Sequence, residues 1–140
     1  MIISFTGPSR LMDNQVRFVQ DALDVVANED PNWPTWRSGC AYGVDTLAAQ
    51  AAHVFMFDLE LYVPGAPHNE QLVEEMLGYA SEVYQCPLGL EPYRQRNELM
   101  VQGSDKLVAF VRSAKFYRSG EWMTINIARR LNIPVEIKEV

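Results

Sequence analysis

The chain has 140 residues, 48% of them hydrophobic and 21% charged, with 12 basic and 18 acidic side chains for a formal net charge of -6. That length suits one domain with one core, and the balance of apolar to charged residues excludes an intrinsically disordered tail. An acidic chain is poorly suited to neutralising a phosphate backbone, so no general nucleic-acid binding is expected.

The first apolar, β-branched run is Ile2 to Thr6, stopped by Gly7-Pro8. Asp13 is placed to cap a helix whose Val16, Val19, Leu23 and Val26 keep one face. Thr35 to Ser38 is a short strand stopped by Gly39. A helix from about Val44 follows, with Leu47, Ala48, Ala51 and Phe55 on one side. Leu59 to Val63 reads as a strand, Asn69 to Tyr79 as a helix, Glu82 to Gln85 as a strand, and Tyr93 to Val101 as a helix with Gly103 as its C-cap. Lys106 to Val111 is a strand, Ser119 to Leu131 the last helix, and Val135 to Ile137 the last strand. Regular alternation of strand and helix predicts an α/β domain: a single Rossmann-like unit over residues 1–140, with a mostly parallel sheet and helices on both faces.

No apolar run reaches the ~18 residues of a membrane span, so no membrane partner is expected. The opening MIISFTGPSR lacks the charged start and cleavage site of a signal peptide. Cys40 and Cys86 provide no disulfide framework. The expected location is the cytoplasm, with both thiols reduced.

Ligands of open parallel sheets bind beyond the carboxyl ends of the strands, where helix N-termini and loop amides point. The unusual residues fall there. Gly7, Ser9 and Arg10 follow the first strand, with Gly7 admitting close backbone approach and Arg10 offering a bidentate phosphate donor. Gly39 and Gly43 allow a tight turn into the second helix, whose first turn carries Asp45. That carboxylate either caps free amides or binds a ribose hydroxyl. Arg96 and Asn97 either hold phosphate and a ribose or base edge, or lie on a solvated helix face. Ser119 and Gly120, beside Arg118, open the last helix in a way that suits an anion. Neither a GxGxxG nor a GxxxxGK[ST] fingerprint is present.

Gly7-Pro8-Ser9-Arg10 followed by the run Ser38 to Ala52, SGCAYGVDTLAAQAA, resembles the SLOG superfamily, which includes the LOG proteins, the DNA-processing protein DprA and small YspA/YpsA-like proteins. The sharpest match is similar to [SG]G-x-x-x-G-x-D-x-x-A, here Gly39, Gly43, Asp45 and Ala48. The run Tyr93 to Met100 and the stretch Arg118-Ser119-Gly120 with Thr124, Ile125 and Ala128 look like the YspA-like branch. The resemblance covers essentially the whole chain. It implies a nucleotide or nucleotide-derived ligand held by the glycine loops, as in a sensor or binding module. It also implies a departure: the LOG signature PGGxGTxxE is matched by Arg118 to Thr124, where Glu121 replaces the Thr and Thr124 the catalytic Glu.

If the chain is an enzyme, the expected chemistry is N-glycosidic cleavage or (deoxy)ribosyl transfer, with a carboxylate stabilising an oxocarbenium-like state. Asp45 and Glu121 are the catalytic candidates and Glu91 a third. Glu121 is equally a favourable charge at a helix start. A third alternative is an interaction protein with a vestigial pocket. No cofactor is expected. No metal site is expected either, because His53 and His68 have no ligand spacing. His68 could line the pocket edge, and Cys40 is either a nucleophile or a small packing residue. Trp33/Trp36 and Phe116/Tyr117 are apolar pairs that would suit a homodimer interface.

Overall fold

Each β-branched run pairs with its neighbours as the alternation with helices demands. The computed structural model describes residues 1–30, 32–67, 69–112 and 120–140. In chain order the elements are β1 (Ile2–Thr6), α1 (Asp13–Glu29), β2 (Thr35–Gly39), α2 (Val44–Phe55), β3 (Asp58–Val63), α3 (Glu70–Leu77), β4 (Glu82–Gln85), α4 (Pro92–Val101), β5 (Lys106–Val111), α5 (Gly120–Arg130) and β6 (Val135–Glu139). The sheet has six strands in the order β4-β3-β2-β1-β5-β6. Every pairing is parallel, a stricter outcome than the mostly parallel sheet expected. This is an α/β Rossmann-like domain.

The chain steps outward from β1 to β4, returns across the sheet to β5 on the other side of β1, and ends at β6. Right-handed crossovers in opposite directions put α1, α2 and α3 on one face and α4 and α5 on the other. The two-residue period of β5 shows the result. Val108 and Phe110 pack with Val19, Leu23, Ala48 and Leu72 of the first three helices. Leu107, Ala109 and Val111 pack with Met100, Val101, Ile125 and Ala128 of the last two. The order in which strands are added reverses between β1 and β5, and that is where a parallel sheet leaves an opening at its carboxyl edge.

Three local expectations are revised. Asp13 is the first residue of α1 rather than its cap; Met12 holds the cap position, with its N–H donating to the Gln15 side chain at 2.9 Å. Gln102 caps α4, and Gly103 follows with φ +80°. Trp36 is fully buried, with its ring centroid 4.4 Å from that of Phe5, because its position on β2 faces α1–α3. Only Trp33 of that pair is exposed, and its indole N–H donates to the Met56 carbonyl at 2.9 Å. The other apolar pair, Phe116 and Tyr117, lies outside the described residues.

Polar contacts seat α4. On the same strand as Trp36 but facing the other way, Arg37 pairs with Glu60 at 2.7 Å. Its Nη1 donates to the carbonyls of Met100 at 3.0 Å and Gln102 at 2.7 Å, closing the C-terminal end of α4. Ser4 of β1 adds a hydroxyl donated to the same Met100 carbonyl at 3.0 Å. Replacing Arg37 by Met leaves Glu60 charged and unpaired and removes two donors from the helix end. The expected loss is about 2–4 kcal/mol of unfolding free energy, read from the urea midpoint. A loss below about 0.5 kcal/mol, the size of an ordinary surface substitution, would overturn this role for Arg37.

Candidate ligand site at the carboxyl edge of the sheet

A cavity of about 350 Å³ opens at the reversal between β1 and β5. Four segments distant in sequence meet there. Thr6, Gly7 and Ser9 come from the end of β1 and its loop; Ala41 and Asp45 from the turn into α2; Tyr93, Arg96 and Asn97 from α4; Gly120 and Glu121 from the start of α5.

The turn between β2 and α2 is built around one left-handed glycine. Gly43 has φ +78°, and a side chain there would also strike the backbone of Pro8 and Ser9. The Val44 N–H donates to the Pro8 carbonyl at 3.2 Å, so the loops after β1 and β2 are stitched together. Thr46 Oγ1 donates to the Ala41 carbonyl at 2.9 Å and Ser38 Oγ to the Asp45 carbonyl at 2.8 Å. These bonds turn the Asp45 side chain inward, where it is buried. Burial pushes its carboxyl up to about 6, while the nearby Arg96 guanidinium and the Ala41 N–H pull the other way.

Gly39 lies beneath this pair. A Cβ at position 39 would fall 2.7 Å from Asp45 Oδ2 and would collide with Arg96 Nη1, so both side chains occupy space that only a glycine leaves free. Arg96 is 7% exposed. Its Nε donates to Asn97 Oδ1 at 2.7 Å, and its guanidinium lies 5.5 Å from the Tyr93 ring centroid. Its Nη1 is buried and has no hydrogen-bond partner. A charged donor buried without an acceptor is costly, and most such groups in folded proteins are satisfied. Glu121 is also buried at the cavity wall, and no hydrogen bond or ion pair holds its carboxylate among the described residues.

Of the residues expected from the sequence, Gly7, Ser9, Asp45, Arg96, Asn97, Gly120 and Glu121 line one cavity. Gly39 and Gly43 shape it without lining it. Arg10 is corrected: it is exposed, does not line the cavity, and its carbonyl accepts a 2.7 Å bond from Arg112 Nη2. Ser119, Arg118 and His68 lie outside the described residues. Glu91 is not a wall residue either; it caps α4 and pairs with Arg94 at 4.0 Å. His53 is exposed on α2, against the Tyr79 ring at 5.2 Å. Cys40 is not poised as a nucleophile: burial, with Asp45 adding to it, pushes the thiol up to about 11. The sequence reading missed Thr6, Met100 and Met123 in the wall. Thr6 was legible in principle, because it ends β1 two positions after Ser4 and so shares its face.

No protein-family model matches the chain, and no curated protein matches it in sequence. Solved structures do match in shape. The DNA-processing protein DprA of Streptococcus pneumoniae superposes with a TM-score of 0.75 at 18% identity, over 96% of this chain and 49% of that one. DprA of Helicobacter pylori, described for its single-stranded DNA binding mode, superposes with a TM-score of 0.71 at 15% identity, over 98% of this chain and 64% of that one. The molybdenum cofactor carrier protein of Chlamydomonas reinhardtii gives a TM-score of 0.69 at 18% identity, over 97% of this chain and 74% of that one. What the chain shares with these proteins is the fold. It spans from about half to under two thirds of the DprA chains it matches. None of these three structures singles out the YspA-like branch.

One expectation is overturned here. The acidic composition leads to the expectation of no general nucleic-acid binding, yet this fold is shared with DprA of Helicobacter pylori, a protein described for its single-stranded DNA binding mode. Net charge sums over a whole surface, whereas a phosphate is met by the few donors at one site.

The buried Asp45 has a consequence for stability. Between its ordinary value of 3.8 and about 6, the folded chain holds a proton there that the unfolded chain has released. Folding therefore weakens as pH rises through that window and does not recover above it. Asp45→Asn is expected to raise the unfolding free energy of the ligand-free chain by roughly 2 kcal/mol near pH 7.5, a gain that fades towards pH 4. Denaturant melts at both pH values check this; an Asn variant less stable than the parent at neutral pH would contradict it.

Proposed function

We propose that the chain is a binding module for a nucleotide or nucleotide-derived ligand of the kind the SLOG resemblance implies, with the YspA-like motifs of α4 and α5 supplying part of the pocket. The observation that carries the reading is the convergence of Arg96, whose buried Nη1 has no hydrogen-bond partner among the described residues, with Asn97, Asp45 and Glu121 at one cavity at the sheet's reversal. A phosphate oxygen is the acceptor that satisfies such a donor best, since a charge-assisted bond from guanidinium is about twice as strong as a neutral one. The backbone after β1 and the start of α5 bring amides to the same space. Asn97 is placed for a base or sugar edge, and Asp45 for a ribose hydroxyl.

Thermal melts and calorimetry against a panel of free nucleotides, with a single-stranded oligonucleotide included, test the reading. A bound nucleotide is expected to raise the transition and be recovered intact. Arg96→Gln is expected to weaken that ligand by about 10- to 100-fold, the worth of one bond to a charged group. A panel in which nothing raises the transition, or a ligand whose affinity survives Arg96→Gln, would defeat the proposal.

A second reading, N-glycosidic cleavage, draws on Asp45 and Glu121, two buried carboxylates on one cavity. A carboxyl near pH 6 is suited to proton transfer at a leaving base. Chromatography of each nucleotide after incubation distinguishes the two readings: release of free base that Asp45→Asn and Glu121→Gln abolish indicates an enzyme, and an unchanged nucleotide a binder.

A further inference from the structure

The two lateral edges of the sheet are dressed differently. β6, at one end, carries Glu136, Lys138 and Glu139, and Glu136 pairs with Lys138 at 3.0 Å and with Lys106 at 3.4 Å. Charges of that kind keep an edge strand from pairing with another chain. β4, at the other end, is exposed at all four residues and carries one charge, Glu82. Val83 and Tyr84 are exposed beside it, and Leu88 and Leu90 just beyond stand almost wholly in solvent. The backbone of this edge is also ready to pair. The Cys86 N–H donates inward to the Val63 carbonyl at 2.9 Å, so by the alternation of a strand Val83 and Gln85 turn their own N–H and C=O outward.

We propose that β4 is the surface on which a second copy of this chain docks, its own β4 running antiparallel to the first and related to it by a two-fold axis at Val83. Opposed residues then share a face of the joined sheet. Val83 meets Val83 of the second copy, and the two exchange both backbone hydrogen bonds. Glu82 meets Tyr84 on either side of the axis, and Ser81 meets Gln85. No carboxylate faces another, although each copy has a net charge of -6. Other centres lack that match: an axis at Glu82 sets two carboxylates face to face, and one at Tyr84 sets Val83 against Gln85. The Tyr84 ring is already held, stacked on Tyr62 with centroids 4.9 Å apart and with its hydroxyl donated to Glu82 at 2.6 Å, so little freedom is lost when it is covered. The same register carries Leu88 of one copy towards Leu77 of the other, which is exposed at the end of α3. The docking is independent of what the cavity holds.

Sedimentation of the full chain over a micromolar concentration series is expected to show a monomer passing to a dimer and no further, because a two-fold contact uses up the edge. Val83→Pro is expected to leave a monomer, since it removes an outward N–H that the fold itself does not use, as edge strands allow. Val83→Lys keeps the N–H but sets two like charges face to face, and is expected to do the same. Ile137→Lys, on the other edge, is expected to leave the dimer intact. The register is read separately by mild oxidation, in which the buried Cys40 and Cys86 do not compete. Val83→Cys is expected to give a disulfide-linked dimer, because directly opposed residues of this kind lie about 5.5 Å apart between Cα atoms; Tyr84→Cys, which faces Glu82, is expected to give far less. A chain that stays monomeric throughout, a dimer that survives both Val83→Pro and Val83→Lys, a dimer lost with Ile137→Lys, or cross-linking that favours position 84 would overturn the proposal.

Discussion

A guanidinium and a side chain at position 39 cannot occupy the same volume, and the candidate site follows from that exclusion. Gly39 ends β2 without a Cβ, and Arg96 and Asp45 converge in the space it leaves. Any other residue there would push the guanidinium off the cavity floor and the carboxylate off the turn. The interaction is unusual for a buried position because it is incomplete. Arg96 gives Nε to Asn97 and lies near the Tyr93 ring, but its Nη1 has no acceptor among the described residues. Interiors rarely tolerate such a group unless it has a use.

Topology explains why the opening lies where it does. The chain lays β2, β3 and β4 to one side of β1, then crosses back under the sheet to place β5 and β6 on the other. The helices that follow β1 and β5, α1 and α5, therefore pack on opposite faces of the sheet, and an opening is left between the two strands at their carboxyl ends. The return crossing is made by α4, which ends against Arg37 and Ser4. It is a helix with two aspects: Met100 and Val101 join the core beneath β1 and β5, while Arg96 and Asn97, one turn earlier, face the cavity. Anchoring its C-terminal end by hydrogen bonds to strands positions the polar turn at the opening.

Holding Asp45 inside the wall works against stability, since a carboxylate removed from water is better off protonated. Cys40, a neighbour in the same turn, feels the same burial and is held as a thiol, packed with its sulfur 3.8 Å from that of Met76. The turn thus keeps one acid near neutrality and makes the adjacent thiol inert. Conformation at the candidate site and stability of the domain are set here by the same few bonds.

The alternation of β-branched runs with helical-period segments was sufficient to read the element order and the fold class, because side-chain periodicity is a local property of the backbone. It also brought Gly39, Gly43 and Asp45 to attention, since a tight glycine turn before a helix has its own sequence form. Strand order was a different matter. Nothing local distinguishes a sheet that reverses beside β1 from one that continues outward, yet that reversal decides which loops face one another. Which arginine lines the cavity was decided the same way. Arg10, in a glycine loop, and Arg96, on a helix of mixed polarity, are both phosphate-donor candidates from the sequence, with Arg96 equally able to face solvent. Only packing across more than fifty positions of sequence, which puts Arg96 on Gly39 and leaves Arg10 outside, separates them, because burial belongs to the contacts a residue makes and not to the residues beside it in the chain.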